Sequence, residues 1–166
     1  LVRKGEESTF SGMLVPGKYV TDGSVAIRAD HWPGYEKETN FRFPDGRPEG
    51  IESRNNSIDG YLAEYQGIRP SVMPALVPAK ALVDSKGDIT HVLIKDGGEK
   101  YGFGIRYWNM IHNTLGLSVC ARPGEGYIRS KAYPICNAAG KAVGVLMPAD
   151  VELSGPLWDH KVVDIA

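Results

Sequence analysis

Residues 101–116 read Tyr101-Gly102-Phe103-Gly104-Ile105-Arg106-Tyr107-Trp108-Asn109-Met110-Ile111-His112-Asn113-Thr114-Leu115-Gly116. The stretch changes character in its middle. Tyr101 to Ile105 reads as a glycine-containing strand. From there Ile105, Trp108, Ile111 (or His112) and Leu115 recur at offsets of three and four, which places them on one stripe of a helix. The spacing predicts a short amphipathic helix over 106–115, and Gly116 suits the left-handed position that closes it. A strand running into a helix makes this chain a mixture of the two.

Outward from that junction the pattern is β. Upstream, Ala81-Leu82-Val83, the turn Asp84–Gly87, the run Ile89–Ile94 and the turn at Asp96-Gly97-Gly98 predict a meander. Downstream, strands are expected over 117–121, 127–135 and 142–147, parted by Pro123-Gly124-Glu125-Gly126 and Asn137-Ala138-Ala139-Gly140. In the tail, 149–166, Trp158 and Val162-Val163 are the expected anchors. Toward the N-terminus, residues 1–9 are charged and expected to fray. Asp22-Gly23 predicts a hairpin turn, because glycine accepts the positive φ such turns need. Phe41 and Phe43 suggest a short strand, and Pro44 to Asn56 a turn and surface loop. Ser57 is placed to cap a helix over 58–66, with Ile58, Leu62 and Tyr65 as its apolar stripe. The proline-bearing run 68–78 is a connector. The fold expected is α+β: strand-rich antiparallel sheets with two short helices in a single domain, 1–166. Its pattern divides into two related halves, about 10–70 and 79–150.

Composition narrows the classes. Apolar residues at 42% suffice for a core, and 20 glycines with 11 prolines favour many turns over long helices. The net charge of -1 provides no global basic field to hold nucleic acid nonspecifically. No window approaches the roughly 18 apolar residues a spanning helix needs, so no membrane partner is expected. The first residues lack the apolar run of a signal peptide, and the expected location is cytoplasmic. Cys120 and Cys136 match no zinc spacing. They read as reduced thiols on neighbouring strands; a disulfide is the alternative, which an export signal would have favoured.

Chemistry-bearing residues are few. The histidines, His31, His91, His112 and His160, form no ligand pair, and neither a metal nor a cofactor is expected. Lys95 to Gly104 is glycine-rich but lacks phosphate-loop spacing. Asp30-His31 beside Trp32 could supply an acid/base pair in a small pocket, against the plainer reading of a loop histidine. Arg122, Arg129 and Lys131 could form a basic strip, with Tyr127 and Tyr133 on the strand face of Arg129 and Lys131, the mixture used for phosphates and stacking. A solvated outer face is the plainer reading there too.

Three short motifs resemble the domains of DNA polymerase sliding clamps. They are Thr21-Asp22-Gly23-Ser24-Val25-Ala26, the Tyr-entered helix at Phe103-Gly104-Ile105-Arg106-Tyr107-Trp108-Asn109-Met110-Ile111, and the closing strand Gly140-Lys141-Ala142-Val143-Gly144-Val145-Leu146-Met147-Pro148, preceded by Pro134-Ile135. Together they touch about a third of the chain. The resemblance implies two helices packed on antiparallel sheets, and self-association into a ring whose helices face duplex DNA. On that reading Arg106, His112, Arg122, Arg129 and Lys131 are the candidate nucleic-acid contacts. The first helix brings Asp59 and Glu64, the second Arg106, Asn109, His112 and Asn113. The leading expectation is a non-enzymatic binding or assembly protein whose partners are itself, DNA or a replication protein. Two alternatives stand beside it: a small-molecule binder or hydrolase using Asp30, His31 and Trp32, and an interaction protein of phage or mobile-element type.

Overall fold

A computed structural model describes residues 13–14, 19–21, 24–31, 51–94, 101–123, 131–151 and 157–165; for 13–14 and 51–56 it describes the backbone alone. The expected strand at Phe41 and Phe43, the turns at Asp22-Gly23, Asp96-Gly98 and Gly124-Gly126, and residues Trp32 and Arg129 lie outside the described residues.

The meander upstream of the helix forms as expected. Strands β4 (Lys80–Val83), β5 (Ile89–Ile94) and β6 (Tyr101–Gly104) pair antiparallel in turn. Asp84 clips the first turn, its Oδ1 accepting from the amides of Lys86 at 2.9 Å and Asp88 at 3.0 Å. Two short strands, β10 (Ala149–Asp150) and β11 (Lys161–Asp164), flank the meander, giving a sheet ordered β10-β6-β5-β4-β11.

The second sheet joins distant parts of the chain. It is ordered β1-β2-β3-β9-β8-β7, from β1 (Met13–Leu14), β2 (Tyr19–Thr21), β3 (Val25–Arg28), β7 (Ser118–Val119), β8 (Tyr133–Cys136) and β9 (Ala142–Leu146). Its central pairing, β3 with β9, ties the N-terminal hairpin to the C-terminal meander. Here β9 carries an extra residue: Ile135 pairs Gly144 and Cys136 pairs Ala142, leaving Val143 unmatched. A Cβ on Gly144 would lie 2.5 Å from the carbonyl oxygen of Ala26, so only glycine lets β3 approach.

Alternation on these strands builds three apolar layers. Val25 and Ile27, Tyr133 and Ile135, and Val143 and Leu146 share a core with Val92, Ile94 and Phe103. The opposite face of the six-stranded sheet, with Ala26, Cys136, Ala142 and Val145, packs under Ile58 and Leu62 of helix α1 (Ile51–Ala63) and Tyr65 of the turn that follows, the helix ending three residues before the expected 66. Beneath the five-stranded sheet, Leu82 and Leu93 meet Val151 and Leu157. The molecule is α+β, with helices laid on antiparallel sheets.

Three expectations need correction. Helix α1 starts at Ile51, so Ser57 lies inside it rather than capping it, and residues 51–56 are helix rather than loop. Asn55, Asn56 and Ser57 favour caps but cost a helix only tenths of a kcal/mol each, about 0.7 at most, which the burial of Ile58 and Leu62 offsets. Trp158 is not an anchor: it is 77% exposed, and Leu157 takes that role. The helix at 106–115 is not α throughout. It is α over Ile105–Asn109 (α2) and widens to a π turn over Met110–Thr114.

Candidate functional site

The π turn is the most unusual backbone feature, and such turns concentrate at functional sites. Met110 and Ile111 are both buried on this turn and join the core beneath the helix. The Leu115 amide reaches back to the Met110 carbonyl at 2.9 Å, and the Leu117 amide to Ile111 at 2.9 Å, across Gly116 at φ 64°.

His112 secures this turn from the side. Its Nδ1 lies 2.8 Å from the Trp108 carbonyl and its Nε2 accepts from the Val119 amide at 3.4 Å. A carbonyl accepts only, so in this geometry Nδ1 is the donor and Nε2 the acceptor. The imidazole also packs on the Trp108 indole, 4.0 Å between centroids. Trp108 stacks on Phe103 at 6.0 Å, and Phe103 meets Tyr133 edge-on at 5.1 Å. Arg122 completes the row, its guanidinium carbon 5.3 Å from the centre of the Tyr133 ring. Among the described residues the Arg122 Nε is buried without a hydrogen-bond partner.

The residues singled out for nucleic-acid contact therefore separate. Arg106 is exposed on α2, on one helical side with the exposed Asn109 and Asn113. His112 has both ring nitrogens engaged by backbone. Arg122 leans over the core ring of Tyr133, while Lys131 is exposed. Tyr133, expected as a stacking platform, is 4% exposed and sits in the core. The longer α1 includes Arg54 and so adds a base to the first helix.

Asp30 and His31 occupy a single 3-10 turn, Ala29–His31, at the end of β3. Asp30 Oδ1 is 3.6 Å from Arg28 Nε and 3.9 Å from His31 Nε2, and the carboxylate is exposed. Neither of two described cavities includes them. One, about 220 Å³, opens between Leu76, Pro78, Ile94 and Phe103. The other, about 300 Å³, lies between α1 and the N-terminal hairpin, with Ser24, Ser57 and Tyr61 around a floor of Ala26, Ile58 and Val145.

A feature the sequence reading missed is the open edge of the five-stranded sheet. Among the described residues β11 pairs with β4 alone. The Ile165 amide bonds to the Ala79 carbonyl at 2.9 Å, so in the antiparallel alternation the backbone groups of Val162 and Asp164 point away from β4. Val162 and Ile165 are both over 40% exposed, and Trp158 stands just before the strand. Lys161-Val162-Val163-Asp164 signals a strand, but nothing in those four residues tells a paired edge from an open one.

Compared with family models, with curated proteins and with solved structures, the chain gives no match.

Proposed function

We propose that this protein is a non-enzymatic binding and assembly module that associates with a second copy of itself through β11. The observation that carries the reading is the edge at Val162 and Asp164, open among the described residues, beside exposed apolar side chains. Exposed strand edges recruit further strands. Two copies running antiparallel about a two-fold axis at Val163 would exchange backbone hydrogen bonds between Val162 of one and Asp164 of the other, and bring the two Val163 side chains together. The sliding-clamp resemblance adds duplex DNA as what such an assembly would meet. Arg106, Asn109 and Asn113, exposed on one side of the second helix, favour that addition.

Size-exclusion chromatography with light scattering tests the assembly. The expected result is a dimer or larger species at micromolar concentration, shifted to monomer by Val162→Pro, which removes an edge donor. A wild-type monomer at every concentration would end the reading. Retention on duplex DNA at low salt, weakened by Arg106→Ala and lost as salt rises, is the expected result for the DNA addition. Assembly without retention would leave the module and remove the DNA.

A further inference from the structure

The two cysteines lie closer than their spacing in sequence suggests. Ser118 pairs directly with Cys136, and the Cys120 amide donates to the Pro134 carbonyl at 2.9 Å. Cys120 is two residues from Ser118 on the same strand face, so the thiols are diagonal neighbours on adjacent strands. Both are buried in one apolar cluster, at 4% and 1% exposure, with Leu62 of α1 and Tyr65 of the turn after it. The Cys120 thiol donates to the Ser118 carbonyl at 3.7 Å, on the strand residue paired with Cys136.

We propose that Cys120 and Cys136 form a redox pair that closes to a disulfide when the chain meets a small peroxide. Exposure divides the roles: Cys120 is 4% exposed against 1% for Cys136. Cys120 is the thiol a small oxidant reaches first, and it reacts as its thiolate. Its sulfur attacks one peroxide oxygen, the O–O bond breaks, and the departing hydroxide leaves as water after taking a proton. Cys120 is then a sulfenic acid. The Cys136 sulfur attacks it, the S–O bond breaks, and a second water leaves with the Cys136 proton. Two thiols lose two electrons in all, and one peroxide becomes two waters. A thiol such as glutathione reverses the bond by two exchanges.

The apolar cover supports a small oxidant. Ile58, Leu62, Tyr65 and Met73 surround the pair, and a protein thiol could not reach it without displacing α1. The bond would tie β7 to β8 at the base of the connection bearing Arg122, Arg129 and Lys131. The pair goes beyond the assembly reading and does not depend on it, since neither cysteine lies on the five-stranded sheet.

The test treats the native full-length chain with hydrogen peroxide, then denatures it in N-ethylmaleimide. The expected result is an intact mass lower by two hydrogens, no maleimide adduct, and a linked peptide joining Cys120 to Cys136 that a reductant separates. Two maleimide adducts after peroxide, or oxygen added without linkage, would overturn the proposal. In Cys136→Ser the expected result is a dimedone adduct on Cys120. Should that variant not fold, the linked wild-type peptide decides alone. A disulfide in a chain that stays monomeric would refute assembly and leave the pair standing.

Discussion

His91 shows how one half-buried group sets a pH dependence. It lies on β5 beside Leu82 of β4, its Nδ1 3.0 Å from the Thr90 hydroxyl. Burial, and then the charge of His160 when protonated, hold its pKa below 6.5. Among the described residues His160 is itself paired with Asp159 at 2.8 Å. Because the folded value lies below the unfolded one, the unfolded chain binds more protons between them, and stability rises with pH there. The contribution is full above about pH 6.5 and is lost as pH falls through the depressed value. Urea unfolding at a series of pH values is expected to show a stability slope that His91→Gln reduces. An unchanged slope in that variant would mean the imidazole is not the group responsible. No such role was visible in the sequence, where His91 is one polar residue in an apolar run. The partial burial arises between β4 and β6, and the nearby His160 charge comes from a turn distant in sequence.

At the scale of elements, the stripes were legible and the ends were not. Ile58 and Leu62 mark the buried face of α1 correctly, since spacing fixes which residues share a face, while Tyr65 is buried beside them from the turn beyond the helix end. Ser57 misled because cap chemistry is local and is overridden once a helix runs through it. This gives a paired prediction. Ser57→Ala is expected to change stability by under about 0.5 kcal/mol, as an exposed substitution within a helix. Leu62→Ala is expected to cost about 2–5 kcal/mol through the cavity left above Cys136 and Val145. Thermal or urea melts of both variants check the pair, and a Ser57 loss near 1 kcal/mol or more, the usual loss of a cap, would restore the cap. The second helix fails differently. The spacing places Ile111 on the buried side, as observed, but does not reveal that the turn carrying it widens to π with His112 beside it. Nothing in the residue types states the outcome, because it depends on Val119 arriving from β7 to occupy Nε2.

At the scale of the molecule, the pattern of two halves meets the sheet order. Strands β2 and β3 come from the first half, yet they pair through β9 with β8 and β7 from the second. Helix α1, from the first half, covers Cys136, Ala142 and Val145 of the second. Local patterns predicted β2 to β9 but not β1, β10 or β11, and a period-2 pattern says which face is buried and not which strand lies alongside. Gly144 holds the one hint, a glycine inside a strand, which marks a close approach of backbone. A fragment of residues 79–166 keeps both C-terminal meanders but loses β3 and α1. It would expose β9 along one edge and Val145 with Ala142 on one face. Expressed alone, it is expected to unfold without a cooperative transition and to bind hydrophobic dyes. Adding residues 1–78 in trans, or restoring the full chain, is expected to recover a single transition. A fragment that melts as sharply as the whole chain would show that the second half holds its own core, and that the β3–β9 seam is an interface between units rather than the centre of one.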